Sequence, residues 1–63
     1  MKLTVNDLER AAAYLRRYAI AVENKLYMNM SISDAHAAIE EAEHLAHTLD
    51  AAAQQLSQIN QIN

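Results

Sequence analysis

Val5, Leu8, Ala12, Leu15, Ala19, Val22 and Leu26 follow one another at alternating steps of three and four residues, and Ile32, Ala35, Ile39, Ala42, Ala46, Leu49, Ala53 and Leu56 do the same. Such steps keep every apolar residue on one side of a helix that turns once in about 3.6 residues, so the chain predicts two amphipathic helices. Nearly every second seam position is Ala beside a larger aliphatic. Small residues let two helix axes approach while Leu or Ile from the facing helix fills the space, which suits shallow-angle packing of the left-handed bundle type.

Each helix carries its own start signal. Thr4 and Ser31, 27 positions apart, can each cap an N-terminus, with Asp7 or Asp34 three residues on to reach back to the N–H of the cap. Leu3 and Leu8 are spaced to close a hydrophobic staple over the first start. Met28-Asn29-Met30 is the stretch left for a connection, and one so short makes the helices antiparallel neighbours. The expectation is an all-α, single-domain hairpin over residues 1–63: helix 1 about 4–28, a turn at about 29–30, helix 2 about 31–59, and a frayed polar tail at 60–63. The tail ends a stretch without charge, Gln54 to Asn63, where Ile59 and Ile62 are the candidate anchors should it order on a partner.

At about 1.5 Å per residue the two helices would run roughly 37 and 43 Å, a rod with much surface to cover. Helix 1 has a second apolar stripe (Ala11, Tyr14, Tyr18, Ala21, Met28) and a third (Ala13, Ile20, Tyr27), while helix 2 adds Ala38, Leu45, Ala52 and Ile59 beside its seam. One partner helix cannot cover all of these. A chain of 63 residues buries only about 60% of its unfolded surface, and with no Cys there is no disulfide to compensate. These facts predict a homodimer, the antiparallel hairpin self-associating into a four-helix bundle. Its core would comprise Leu8, Leu15, Val22, Leu26, Ile39, Leu45, Leu49 and Leu56.

Charge sharpens the picture. All five basic residues (Lys2, Arg10, Arg16, Arg17, Lys25) fall in the first 25 positions, so residues 1–28 carry a net +2 and residues 29–63 a net −5. The two helices are electrically complementary, which favours their pairing, though each exposed ion pair contributes well under about 1 kcal/mol. No apolar stretch approaches the roughly 18 residues needed to span a bilayer, and no apolar run follows a basic start, so a soluble, cytoplasmic protein without membrane contact is expected.

The chemistry available is sparse. Thr4, Ser31 and Ser33 sit at helix starts, where capping accounts for them, and neither Cys nor a glycine-rich loop is present for nucleophilic or phosphate chemistry. No catalytic residues and no enzyme activity are expected. Glu41-x-x-His44 has the spacing of carboxylate-bridged di-metal helices, yet helical phase turns His44 away from the seam, where such ligands would have to point. His36, Glu40, Glu43 and His47 share a flank at spacings that a surface Zn or Ni site would need, making a metal-binding bundle the third reading; no metal or other cofactor is assigned.

Arg10, Arg16, Arg17 and Lys25 on one helix, interleaved with Tyr14, Tyr18 and Tyr27, make a surface suited to phosphates and stacked bases. In length, in hairpin plan and in alternating Ala with large aliphatics, the chain resembles the Rop-like plasmid copy-number proteins. That resemblance implies a dimeric four-helix bundle that binds paired RNA loops; it is one of architecture, and no functional residue is carried over from it.

The first reading is instead a small interaction module, an adaptor or inhibitor that acts by occupying a surface on a host or cognate protein. Phages, plasmids and bacterial operons encode many accessory proteins of this type. Tyr14, Tyr18 and Arg17 are the residue types that dominate interface energetics, and the acidic flank Glu40, Glu43 and Asp50 suits a basic groove. A nucleic-acid-binding bundle is the alternative.

Overall fold

The computed structural model describes residues 2–24 and 29–62, the side chains of 60–62 excepted. Two helices, α1 (Val5–Glu23) and α2 (Ile32–Ile62), pack against each other as an antiparallel hairpin. The described residues contain no strand, and none of their helices is long and apolar enough to cross a membrane.

Both starts form where the capping residues stand. Thr4 is extended (φ −109°, ψ 164°), and its Oγ1 accepts from the Asp7 N–H at 3.1 Å while its own N–H donates to Asp7 Oδ2 at 3.1 Å. At the second start only the forward half of this exchange is made, Asp34 N–H donating to Ser31 Oγ at 3.1 Å. Leu3 remains 59% exposed, so the staple expected with Leu8 does not bury it.

The seam is built almost wholly from alanine. Ala12, Ala19 and Val22 of α1 and Ala42, Ala46 and Ala53 of α2 are buried, Ala12 and Ala46 completely. With no side chain beyond Cβ at these positions the backbones draw together, and the larger seam residues Val5, Leu8, Leu15, Ile39, Leu49 and Leu56 are left half-buried along the margins. The result is a rod of 48 × 18 × 16 Å.

Three expected features are revised. The apolar period predicts helix 1 to about residue 28, whereas α1 closes at Glu23, with the Asn24 N–H donating back to the Ile20 carbonyl at 2.9 Å. Leu26, Tyr27 and Met28, assigned to the seam and the outer stripes, lie outside the described residues. At the other end α2 runs on to Ile62. Arg16 pairs with Asp50, and in antiparallel helices of equal rise that register sets Val5 level with about position 61, so the polar end of α2 has the first turn of α1 to lie beside. The same register explains Ile32, a seam position by spacing that is 82% exposed: no described residue of α1 reaches its level, Asn24 standing opposite about position 42.

Candidate interaction surfaces

Helical phase and register together divide the hairpin into surfaces of unlike chemistry. Counting about 100° per residue from the alanine seam, Arg16 lies some 70° to one side of it on α1, and Asp50 and Glu43 some 60–80° to the same-handed side on α2. These sides meet in an antiparallel pair. The structure joins them: Arg16 Nη2 donates to Asp50 Oδ2 at 2.5 Å, and Arg16, Ala19, Ile20, Glu23 and Glu43 line one shallow groove between the helices. Glu40 lies further out on the same flank of α2 and is exposed. This is the charged edge of the rod.

A second surface is the outer side of α1. The Arg17 guanidinium sits over the Tyr14 ring, 5.9 Å from its centroid, and Arg10, Ala13, Tyr14 and Arg17 line a depression there. Tyr14 is 62% exposed. Spacings of three, four and seven put these residues on consecutive turns of one face, and the cation–π contact holds Arg17 close to the helix. Among the described residues no carboxylate pairs with Arg10 or Arg17.

The third surface lies across the seam from the charged edge. Leu15 and Tyr18 of α1 turn toward it, as do Leu45, Leu49, Ala52, Leu56 and Ile59 of α2, which fall some 30–110° from the seam on the side opposite Asp50. Leu15, Leu49, Ala52 and Leu56 are half-buried, while Leu45 is 41% and Ile59 58% exposed.

The structure therefore separates residues that the sequence reading grouped as one binding set. Tyr14 and Arg17 are brought together, and Tyr18 stands one turn further on, toward the apolar surface. Glu40 and Glu43 are on the charged edge, and Asp50 is engaged by Arg16 within the same chain. Arg16 makes the pairing with the acids of helix 2 that the charge complementarity of the two helices predicts, and its phase, on the flank that faces those acids, singles it out from Arg10 and Arg17. Of the core set, Val22 is buried inside the single hairpin, Leu8, Leu15, Ile39, Leu49 and Leu56 are half-buried, and Leu45 is exposed.

Among the described residues no three of His, Asp and Glu come together as a cation site. The Glu41, His44 and His47 side chains are exposed, and the backbone carbonyl of His44 accepts from Thr48 Oγ1 at 3.0 Å. No family model, curated protein or solved structure matches this chain.

Proposed function

We propose that the protein is a small non-enzymatic interaction module that self-associates into a four-helix bundle and acts as an adaptor or inhibitor, occupying a surface on a larger macromolecule. One observation carries this reading. Among the described residues the hairpin buries no side chain larger than valine, so their leucines and tyrosines and most of their charges face outward or stand at an open margin. A fold that spends its interior on alanine has its recognition chemistry on the outside, and its two described grooves are open clefts rather than enclosed ligand sites.

A second reading, contact with nucleic acid, draws on the Arg10–Tyr14–Arg17 ridge, where a ring exposed for stacking lies between two cations. Affinity capture of the tagged protein from a lysate of its own source, with and without nuclease, separates the two. A near-stoichiometric protein partner that resists nuclease and is lost with Glu40→Gln/Glu43→Gln supports the adaptor or inhibitor. Recovery of nucleic acid alone, or of partners lost on nuclease treatment, overturns it in favour of the second reading.

A further inference from the structure

We infer that a second copy of this chain covers the surface formed by Leu15, Tyr18, Leu45, Leu49, Ala52 and Leu56, leaving the Arg16–Asp50 edge and the Arg10–Tyr14–Arg17 ridge facing solvent in the assembled bundle. The inference rests on the self-association proposed above and goes further by naming the face.

Three arguments select it. The first is symmetry. A two-fold dimer sets a surface against itself, so the surface must be self-complementary. The charged edge is not: Arg16 already neutralises Asp50, which leaves Glu23, Glu40 and Glu43 to meet the same three acids of the other copy. The ridge fails in the same way, since Arg10 and Arg17 would face two more arginines. Between positions 45 and 56 of α2 the third surface does tolerate its own image, because there it presents Leu and Ala beside Leu15 and Tyr18 of α1 and no charge; Asp34 and Glu41 share its phase but lie nearer the N-terminus of α2.

The second argument is burial. Along this side Leu15, Leu49, Ala52 and Leu56 are already half removed from water, so a modest further approach completes their burial, and Leu45, one turn before Leu49, continues the row with 41% of its surface exposed. The opposite side offers two large exposed aliphatics that do not adjoin: Ile20 among Arg16, Glu23 and Glu43, and Ile32, which shares the phase of Asp50 but lies beyond the level of the described end of α1. The third argument is the shortage of interior. Among the described residues of the hairpin only Ala12, Ala19, Val22, Ala42, Ala46 and Ala53 are buried, too little apolar surface for a chain of this length to rely on alone.

Leu45→Lys and Ile20→Lys form a matched pair, each placing an ammonium at an exposed aliphatic on one of the two faces. In sedimentation equilibrium at tens of micromolar the unsubstituted protein and Ile20→Lys should be dimers of the 7.1 kDa chain. Leu45→Lys, which enters a symmetric interface twice, should raise the dissociation constant by roughly a hundredfold or more. Should Leu45→Lys lose its helical circular dichroism altogether, thiol labelling decides without disturbing the interface. The chain has no Cys, so Ala52→Cys, on the proposed face, and Ala51→Cys, exposed on the outer side, report separately. Labelling of Ala52→Cys should be slowed at high protein concentration and accelerate on dilution, whereas Ala51→Cys should react quickly at both.

A dimer broken by Ile20→Lys and not by Leu45→Lys, or equal labelling of the two cysteines at every concentration in a protein that is dimeric, overturns the face while leaving self-association standing. An unsubstituted chain that stays monomeric overturns both.

Discussion

Arg16 of α1 and Asp50 of α2 are joined across the helix pair, Nη2 to Oδ2 at 2.5 Å, with 50% of the arginine and 39% of the aspartate side chain open to water. Among the described residues no second ion pair links the helices. The contact fixes the register of the hairpin more than its stability, because water and salt screen a pair this exposed.

A double-mutant cycle of Arg16→Ala and Asp50→Ala, followed by urea denaturation at one fixed protomer concentration, should return a coupling of about 0.2–1 kcal/mol, smaller still in high salt. A coupling of several kcal/mol that persists in high salt would mean that the pair is shielded from water in the assembled protein. It would then no longer be an edge contact.

The two helix starts offer an internal comparison. Thr4→Ala and Ser31→Ala each remove one side-chain acceptor from an N–H of the first turn, and each should cost about 0.5–2 kcal/mol. The aspartates should differ. Asp7 also accepts from the Thr4 N–H, whereas Asp34 makes no return bond to Ser31. Both lose the same favourable charge near a helix N-terminus, so the excess cost of Asp7→Ala over Asp34→Ala should be about 0.5–1 kcal/mol and reports the return bond alone. Equal costs in thermal or urea unfolding would show that this bond contributes nothing.

Ala46 has no exposed surface, and Ala19, close to its level on the other helix, is buried as well. Nothing larger fits there unless the axes move apart. Ala46→Leu should therefore destabilise by about 1–3 kcal/mol despite adding apolar surface, while Ala51→Leu, on the exposed side of the same helix, should stay within about 0.5 kcal/mol of the parent. If Ala46→Leu stabilised the protein, the alanine seam would not be the tight contact described here.

The seam was legible in the sequence because a period of three and four residues survives any choice of partner: Ala12, Ala19, Val22, Ala42, Ala46 and Ala53 all came from it and all are buried. Thr4, Ser31 and their aspartates were legible because capping is local chemistry. The ends of the helices were not. Asn24 closes α1 without the glycine that usually marks such a stop, and the uncharged run to Ile62 reads as a frayed tail until the register shows what lies beside it. Sidedness was hidden for the same reason. Which flank of α1 borders which flank of α2 depends on the pairing, and it is the Arg16–Asp50 contact that assigns Glu43 to one edge and Leu45 to the other.

That assignment narrows the acidic flank of the proposed adaptor. Asp50 is neutralised within its own chain, so a basic partner would meet chiefly Glu40 and Glu43, both exposed and without an ion pair among the described residues. Glu40→Gln/Glu43→Gln should then abolish capture of the partner while sedimentation still shows the parent's oligomeric state, since neither residue lies on the apolar face. Asp50→Asn should do less to capture and more to the hairpin. Raising salt shortens the reach of charge from about 10 Å at 0.1 M to about 4 Å at 0.5 M, so the complex should weaken in step. If the partner is held equally well at both salt levels and by the Gln variants, recognition belongs to Tyr14 and Arg17 instead, and Tyr14→Ala should release the partner with the hairpin intact.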